Sequence, residues 1–308
     1  MDVPYRDVSR RPTTVTTREN IVLVGPGRAG CSLARGLTRA GHRLAAIVGG
    51  SPENRRAVAA ALGDVPVVPH AAALGMASLV IIAVPDDRLV DVATALAEGT
   101  PAAPTTLAFH VCGAKGRSVL DPLAARGART AAWHPLRSLP VRDLGPSGLD
   151  GALVAIESDP ADLPRLESLA RAVNGRPASL DGRRRDTYHA GAAAAGNGIL
   201  AVFDLGMRAL MRAGIPEELA RRALATLAEG AVANAGRTGP SAALTGPVVR
   251  GDAETVAAHI RALRRDLGDA DAAFYAALSE ALVRVAAARP DGAKASSVRR
   301  VLNEPGNS

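Results

Sequence analysis

The sequence predicts an α/β protein in which a doubly wound parallel sheet is followed by a second, all-α domain. Short β-branched runs alternate with helical patterns from residue 21 to residue 173, as in a sheet with helices on both faces. A glycine-rich turn separates the first run from the first helix. After about residue 180 only helical patterns remain. We therefore expect a disordered tail at residues 1–19, a sheet domain at residues 20–180 and a helical domain at residues 181–308.

The first domain contains strand patterns that alternate with helix patterns along the chain. Its apolar runs predict strands at residues 21–24, 44–48, 65–68, 79–84, 105–111, 130–133 and 152–156. The intervening patterns predict helices at residues 29–40, 52–62, 86–97, 119–126 and 162–173. Ser51 and Pro52 are suited to the N-cap and first position of the second helix. Because strands and helices alternate, we expect the strands to be parallel.

The second domain is predicted from long helical patterns that glycine and proline interrupt. They predict helices at residues 184–213, 216–235, 252–267 and 271–288, with a short helix after residue 289. Asp252 stands immediately before the third of these helices, where a carboxylate caps free backbone N–H groups.

The net charge of +7 raises the question of an acidic partner, but the composition does not favour nucleic acid. Of the 37 basic residues only Lys115 and Lys294 are lysines, and the arginines are spread along the chain. Aromatic residues make up only 2% of the sequence, too few for a surface on which bases stack. We expect no specific nucleic-acid binding.

The two cysteines and the apolar runs exclude other classes of protein. Cys31 and Cys112 are too few and too far apart for a disulfide framework or a zinc site, and reduced thiols favour a cytoplasmic protein without a metal. No apolar run reaches the roughly 18 residues that a membrane span needs. The first 20 residues also lack the apolar stretch of a signal peptide.

A dinucleotide-binding motif follows the first predicted strand. Gly25-Pro26-Gly27-Arg28-Ala29-Gly30 matches G-x-G-x-x-G and opens the first predicted helix. In such a Rossmann motif the first glycine permits the turn, the second lets the backbone approach the pyrophosphate, and the third lets helix and strand pack. The N-terminus of the helix then presents free N–H groups to the phosphates. We predict that these six residues bind a dinucleotide.

The end of the second predicted strand favours NADP(H) over NAD(H). NAD enzymes usually place a carboxylate there for the ribose 2′-hydroxyl, whereas this chain has Gly49, Gly50 and Ser51. Nearby Arg28, Arg55 and Arg56 are suited to a 2′-phosphate, with Ser51 beside them. The alternative is that Arg55 and Arg56 are ordinary solvated helix residues.

Several short motifs, in a fixed order, resemble those of known reductases. Val84-Pro85-Asp86-Asp87 resembles a segment of reductases related to pyrroline-5-carboxylate and ketopantoate reductase. The remaining motifs are His110-Val111-Cys112-Gly113, His134-Pro135-Leu136-Arg137-Ser138-Leu139, Tyr188-His189-Ala190-Gly191 with Asn197, and Thr245-Gly246-Pro247-Val248-Val249-Arg250-Gly251-Asp252. Together they resemble the family that joins a Rossmann-like domain to a C-terminal domain of unknown function 2520.

The resemblance implies an NADP-dependent oxidoreductase without an assigned substrate. It implies that Val84, Pro85 and Asp86 lie at the cofactor, and that the helical domain forms a homodimer. Related enzymes often carry a lysine four residues before the asparagine that corresponds to Asn197. Here that residue is Ala193, so the resemblance does not supply the proton donor.

His189 and Asn197 are the candidates for the missing catalytic groups. Reduction of a carbonyl or imine needs a proton as well as a hydride. His189, Ala193 and Asn197 are spaced to lie on one helix face. We predict His189 as an acid or a hydrogen-bond donor to the substrate, and Asn197 as a positioning group. A histidine satisfied by backbone or solvent is the alternative, and Tyr188, roughly 100° around the helix, is expected to pack.

Three more residues complete the predicted site. His134 and His110 each end a predicted strand on the carboxyl side, where α/β proteins bind ligands, so we predict His134 as catalytic and His110 as substrate-binding. Arg250 is predicted to bind a substrate carboxylate, with a surface ion pair as the alternative. The predicted reaction is hydride transfer between NADP(H) and a C=O or C=N bond of a small, anionic molecule, such as a ketopantoate-like 2-oxo acid or an imine. The alternative is a catalytically inactive NADP(H)-binding sensor or scaffold.

Overall fold

The computed structural model describes residues 18–137 and 149–303. The strands are β1 (Asn20–Val24), β2 (Arg43–Val48), β3 (Val67–Val68), β4 (Leu79–Ile82), β5 (Leu107–His110), β6 (Arg129–Leu136), β7 (Leu153–Ser158) and β8 (Arg176–Ser179). The helices up to residue 196 are α1 (Arg28–Arg39), α2 (Pro52–Leu62), α3 (Ala73–Met76), α4 (Leu89–Ala97), α5 (Asp121–Ala124), α6 (Leu163–Ala172) and α7 (Arg185–Gly196). The later helices are α8 (Gly198–Arg212), α9 (Glu217–Thr238), α10 (Pro240–Ala243), α11 (Pro247–Arg250), α12 (Ala253–Leu267), α13 (Asp269–Ala287) and α14 (Ser296–Leu302).

The chain forms two compact units, Met1–Ala193 and Ala194–Ser308. The first unit contains all eight strands and therefore the doubly wound sheet. The second contains only helices among its described residues. The predicted fold class is confirmed. The division falls inside α7, later in the sequence than the predicted boundary after residue 180.

The sheet has the strand order β3-β2-β1-β4-β5-β6-β7-β8, and the first six strands are parallel. The order reverses between β1 and β4, so the loops that follow these two strands flank a crevice at the carboxyl edge of the sheet. This is where α/β proteins of this type bind their ligands.

The prediction of an entirely parallel sheet is wrong at β7, which pairs antiparallel with β6. No helix was predicted between these two strands, and a parallel connection needs a crossover, usually a helix. The absence of a predicted helix between the two strands was therefore a sign in the sequence that β7 is antiparallel to β6. Strand β8, parallel to β7, was not predicted because its residues Arg-Pro-Ala-Ser lack an apolar run. Its Pro177 is tolerated at the edge of a sheet.

Residues 1–17 of the predicted disordered tail lie outside the described part of the chain, but its last residue, Glu19, is buried. The Glu19 carboxylate accepts hydrogen bonds of 2.8 and 2.7 Å from the Arg165 guanidinium and one of 2.5 Å from the Ser78 hydroxyl. Its backbone N–H donates to Nδ1 of His42 at 3.1 Å. Glu19 thus ties the start of β1 to α6.

Side chains that alternate along the strands form an apolar core on each face of the sheet. One core contains Ile21, Leu23, Phe109 and Trp133, and the other contains Val22 and its neighbours. The rings of Phe109 and Trp133 stack with centroids 5.3 Å apart. Because helices cover both faces of the sheet, the last three residues of β1, β2 and β4 are apolar and buried on both sides.

The second unit has a smaller core, formed by α11, α12, α13 and α14 around Val256 and Ile260. The long helix predicted at residues 184–213 is two helices, α7 and α8, because Gly196, Asn197 and Gly198 are poor helix formers. Asn197 lies between them with backbone angles that remain near the helical region.

Helices α8 and α9 leave much of their apolar surface uncovered. Leu200 is 64% exposed, Leu227 is 69% exposed, and only Leu205 and Ala220 are fully buried in these two helices. Residues 182–212 form the one helical stretch, in the part of the chain that the structure describes, that is long and apolar enough to cross a membrane. Length and composition do not distinguish such a helix from one that another protein surface covers.

Candidate active site

The glycine-rich turn connects β1 to the N-terminus of α1. Gly25 has a φ of +83°, and a Cβ there would lie 2.6 Å from the carbonyl oxygen of Ala83. A Cβ on Gly30 would lie 2.6 Å from the carbonyl oxygen of Gly25. Packing of the protein itself therefore requires both glycines.

Gly27 is different, because a Cβ there would meet no atom within 4 Å. It is the N-cap residue of α1, and no side chain caps this helix. The first N–H groups of a helix have no intrahelical acceptors. The space at Gly27 and the uncapped N-terminus together fit a bound pyrophosphate.

The end of β2 lies against this turn. Gly49 and Gly50 have φ values of +73° and +83°, and a Cβ on Gly50 would lie 2.4 Å from Cγ of Pro26. The Ser51 hydroxyl accepts the N–H of Asn54 at 3.2 Å and caps α2, as predicted. A carboxylate side chain therefore has no room at position 50.

Two exposed arginines lie close in sequence to these loops. Arg28 is the first residue of α1, and Arg55, in the first turns of α2, donates from Nε to the carbonyl oxygen of Gly49 at 3.1 Å. Arg56 instead donates to the carbonyl oxygen of Pro52, within its own helix. Of the two neighbouring arginines of α2, Arg55 is therefore the one that is held at the end of β2.

The loop after β4 contains Val84, Pro85 and Asp86, of which Pro85 and Asp86 are exposed. Asp86 lies beside the thiol of Cys112. Burial raises the pKa of Cys112 to about 11, and the hydrogen bond to Asp86 adds to the increase. Cys112 is therefore a thiol rather than a thiolate at neutral pH.

His134 lies at the carboxyl edge of the parallel strands. Ala132 pairs with His110, the last residue of β5, so His134 stands two residues beyond the end of that ladder. Its Nδ1 is 2.7 Å from the hydroxyl of Tyr188, and the two rings meet edge to face with centroids 5.7 Å apart. Tyr188 was expected to pack, and its ring does so, but its hydroxyl also forms this hydrogen bond, which the sequence did not predict.

Both groups of this pair are partly buried, and burial sets their protonation. Burial lowers the pKa of His134 to about 4, and the nearby His189 and Arg185 add to the decrease. Burial also raises the pKa of Tyr188. At neutral pH the pair is therefore a neutral imidazole and a protonated phenol.

A buried ion pair holds the start of α7 against the sheet. The Arg185 guanidinium donates to Oε2 of Glu157, on β7, from Nε at 2.9 Å and from Nη2 at 2.7 Å. Its Nη1 donates to the carbonyl oxygen of Gly113 at 3.1 Å. Arg185 thereby fixes the helix turn that carries Tyr188 and His189.

Gly113 separates the rings of His134 and His189. A Cβ on Gly113 would lie 2.8 Å from Nε2 of His134 and 2.9 Å from Cδ2 of His189. The ring of His189 forms no hydrogen bond to any residue within the described ranges. The structure therefore brings the two predicted catalytic histidines together and leaves the nitrogens of His189 available.

His110 is fully buried, and the backbone satisfies both of its ring nitrogens. Nε2 donates to the carbonyl oxygen of Gly116 at 3.1 Å, and Nδ1 accepts the N–H of Cys112 at 3.2 Å. Burial lowers its pKa to about 4. This geometry favours a structural role in the loop after β5 rather than the predicted contact with substrate.

Asn197 and Arg250 belong to the second unit. Arg250 is the exposed last residue of α11, and its side chain has no hydrogen-bond or ion-pair partner among the residues described. The neighbouring Asp252 caps α12, as predicted, by accepting the N–H of Thr255 at 3.1 Å. The predicted motif at residues 134–139 ends in Ser138 and Leu139, which lie outside the described residues.

The cluster of histidines does not form a metal site. Within residues 18–137 and 149–303, no three His, Cys, Asp or Glu side chains are grouped so that they could hold a metal ion.

Residues 152–282 match the family described as a domain of unknown function (DUF2520), and residues 6–135 match a Rossmann-like domain. The two matches follow one another in the order that the sequence motifs predicted, so the resemblance to proteins that join a Rossmann-like domain to this C-terminal domain is confirmed. No curated protein matches the chain.

Solved structures share the fold of this chain over most of its length. A candidate NADP oxidoreductase from Bacteroides fragilis has a TM-score of 0.69 at 20% identity, over 86% of this chain and 98% of that chain. A protein from Thermotoga maritima has a TM-score of 0.66 at 23% identity, over 91% and 100%. A pyrroline-5-carboxylate reductase from Coxiella burnetii has a TM-score of 0.59 at 16% identity, over 92% and 98%. At these identities the likeness is one of fold.

Proposed function

We propose that this protein is an NADP(H)-dependent oxidoreductase that transfers a hydride between the nicotinamide and a C=O or C=N bond of a small, anionic substrate. The observation that carries the proposal is a pair of features at one edge of the sheet. Gly27 and the uncapped N-terminus of α1 leave space for a pyrophosphate, and the cluster of His134, Tyr188 and His189 supplies acid–base groups.

The phosphate-binding role rests on the difference between the three glycines of the motif. Packing within the protein accounts for Gly25 and Gly30 but not for Gly27. A backbone that must approach a pyrophosphate accounts for Gly27. NADPH, when bound, supplies the hydride. The residues predicted to hold the cofactor are those of the turn, Ser51, Arg55, and the loop from Val84 to Asp86.

The choice of NADP(H) rests on the end of β2. Gly49, Gly50 and Ser51 follow this strand, so none of these positions carries the carboxylate typical of NAD enzymes. Arg55 is held beside this position by the carbonyl oxygen of Gly49, and Arg28 begins α1. A guanidinium matches a phosphate in charge and geometry.

The catalytic roles follow from the groups that remain available. His189, with no hydrogen bond of its own among the described residues, is suited to donate to the oxygen or nitrogen of the substrate. Asn197 is proposed as a positioning group. Arg250, exposed and without a hydrogen bond or ion pair to the described residues, is proposed to bind the anionic group of the substrate.

The cofactor proposal is tested by titrating the protein with NADPH and NADH and following nucleotide fluorescence. We expect NADPH to bind more tightly. Arg55→Ala should weaken NADPH binding about tenfold, the equivalent of one lost charged contact. Arg176→Ala, an exposed arginine on β8, is the matched control and should change nothing. Tighter binding of NADH would contradict the proposal.

Turnover is tested by the loss of NADPH absorbance with a panel of 2-oxo acids and cyclic imines. The alternative function, an NADP(H)-binding sensor or scaffold, is favoured by Ala193, which replaces the lysine found in related enzymes. Tight NADPH binding with no turnover of any substrate in the panel would support that alternative.

We also propose that the uncovered surface of α8 and α9 is the interface of a homodimer. A bilayer is a poor occupant, because Asp204 and Arg208 form an ion pair on α8 that lies beside its exposed apolar residues. A second copy offers an equally apolar surface, and closed two-fold dimers are the commonest oligomers. Light scattering should give a dimer for the wild type and a monomer for the double variant Leu200→Glu, Leu227→Glu. A wild-type monomer, or a protein that stays with the membrane fraction, would contradict this.

A further inference from the structure

The hydroxyl of Tyr188 and the ring of His134 form a hydrogen-bonded pair that the proposed roles of His189, Asn197 and Arg250 do not use. Their 2.7 Å contact joins residues 54 positions apart in the sequence. Both belong to the first unit, and His134 lies beside Gly113 and His189 at the carboxyl edge of the sheet. The pair therefore borders the crevice in which the proposed substrate would be reduced.

The surroundings of the pair are built to hold it in one arrangement. Arg185, three residues before Tyr188, is locked by three hydrogen bonds to Glu157 and Gly113. Ala132 and Pro135, on either side of His134 in β6, pair with β7 and are buried. A hydrogen-bond donor that is held in place before the reaction begins stabilises the transition state more than a mobile donor does, since no reorganisation is needed.

The protonation states of Tyr188 and His134 suit a proton donor and a second group that can reprotonate it. Burial raises the pKa of Tyr188, so its hydroxyl carries a proton at neutral pH. His134 is neutral, because burial lowers its pKa to about 4. A neutral imidazole can donate from one nitrogen while it accepts at the other, which is what a relay requires.

We infer that the Tyr188 hydroxyl donates the proton in the proposed reduction and that His134 replaces it. This inference rests on the proposed function and identifies its proton donor. His189 then takes the second of its two predicted roles, that of a hydrogen-bond donor to the substrate.

The proton transfers balance without a further reactant. As the hydride reaches the carbon, the C=O or C=N π bond breaks and its electron pair goes to the oxygen or nitrogen. That atom takes the proton of Tyr188. The resulting phenolate takes the Nδ1 proton of His134, while Nε2 of His134 takes a proton from the bulk solvent, which is the one proton that the overall reduction consumes. His134 begins as one neutral tautomer and ends as the other, so no charge remains in the site.

The test compares Tyr188→Phe with Tyr275→Phe in the full-length protein. The second variant is a matched control, because Tyr275 makes the same contact, at 2.8 Å, with Nδ1 of His259. The measurements are kcat and KM with the panel of 2-oxo acids and imines, the NADPH dissociation constant, and the ¹⁵N resonances of the histidine rings without cofactor.

We expect Tyr188→Phe to lower kcat about 100-fold or more, as loss of a general acid does, with little change in NADPH binding. It should shift the ring resonances of His134, whereas Tyr275→Phe should shift only those of His259 and leave kcat unchanged. His134→Ala should also be slow, and added imidazole should restore part of its rate but none of the rate of Tyr188→Phe.

Each of the following outcomes would overturn one part of the inference or the proposed function on which it rests. A wild-type protein that turns over the panel while Tyr188→Phe retains its kcat overturns the inference and leaves the proposed function standing. Unchanged His134 resonances in Tyr188→Phe overturn the pair itself. Failure of imidazole to rescue His134→Ala overturns the relay. A wild-type protein with no turnover overturns the proposed function, and the donor role with it.

Discussion

Two histidine–tyrosine pairs in this protein have nearly the same geometry. Nδ1 of His134 is 2.7 Å from the hydroxyl of Tyr188, and Nδ1 of His259 is 2.8 Å from that of Tyr275. In both pairs the ring centroids are 5.7 Å apart, and the interplanar angles are 86° and 78°. The difference between the pairs therefore lies in what surrounds them.

The first pair lies among other functional groups, whereas the second connects two helices. His134 is half-buried at the carboxyl edge of the sheet, with His189, Arg185 and Asp86 close enough to affect its charge. His259 is exposed on α12, and Tyr275 is on the adjacent α13. The comparison teaches that one hydrogen-bonded unit serves packing in one place and proton transfer in another, according to its surroundings.

The largest expected effect comes from breaking the ion pair that supports the first His–Tyr pair. Arg185→Met leaves Glu157 without its partner, and Arg185 is only 3% exposed. Removal of one partner of a buried ion pair costs about 3 kcal/mol, so unfolding in urea should show a loss of that order.

The matched control in the second unit is Arg208→Met, which removes the two hydrogen bonds to Asp271. Arg208 is 42% exposed, so water replaces much of the interaction and the loss of stability should be smaller. Equal losses in the two variants would mean that burial does not distinguish the two regions.

A smaller effect is expected from a single methyl group between the rings of His134 and His189. In Gly113→Ala the new Cβ would lie 2.7 Å from Cε1 of His134 and 2.9 Å from Cδ2 of His189, so at least one ring must move. Overpacking of this kind costs about 1 to 3 kcal/mol, and urea unfolding together with the NMR resonances of the histidine rings measures it.

Gly191→Ala is the control for this variant, because it makes the same change on α7 with no atom within 4 Å of the new Cβ. There we expect a small gain, since alanine favours a helix by about 0.5 to 1 kcal/mol over glycine. If Gly113→Ala is as stable as Gly191→Ala, with unshifted resonances for His134 and His189, the contact between Gly113 and the two rings does not exist.

The smallest effect is the contribution of His134 to the pH dependence of stability. Its pKa falls from 6.5 to about 4 in the folded protein, so between these values the unfolded chain binds more protons and acid destabilises the fold. The neighbouring charges are those of Asp86 and Arg185, with His189 and His110 also close. In His134→Gln, stability should depend less steeply on pH in this window, by at most about 1.4 kcal/mol per pH unit.

Urea unfolding at several pH values measures this slope, and the slope above pH 7 is its internal control. His110 is also buried and neutral, so some acid sensitivity should remain in the variant. A slope unchanged between pH 4 and 6.5 would show that His134 is not neutralised by burial.

Features that depend on neighbouring residues were predictable from the sequence. The helix predicted at residues 52–62 is α2 with the same bounds, because Ser51 and Pro52 mark its start and a glycine follows its end. The cap at Asp252 and the glycine-rich turn between β1 and α1 were predicted for the same reason. Each of these depends on a few consecutive residues.

The site was predictable only in part. His134 and His189 were chosen from their positions at a strand end and on a helix face, and the structure places both beside Gly113. The role of Tyr188 was missed, because helical periodicity alone turned it away from the face that carries His189. His110 was taken for a ligand-binding residue because a strand end does not reveal whether the backbone satisfies both ring nitrogens.

By itself the sequence determined the alternation of strands and helices, the glycine-rich turn and the absence of a carboxylate after β2, since periodicity and turn chemistry are local. Only the tertiary structure decided that β7 is antiparallel, that Arg185 reaches Glu157 and Gly113, and that Tyr188 meets His134. The side-chain contacts of Arg185 and Tyr188 join residues 28 to 72 positions apart, so they exist only after the sheet and α7 have packed. The physical reason is that burial and hydrogen-bond partners, which set the pKa and availability of each group, are properties of the packed chain.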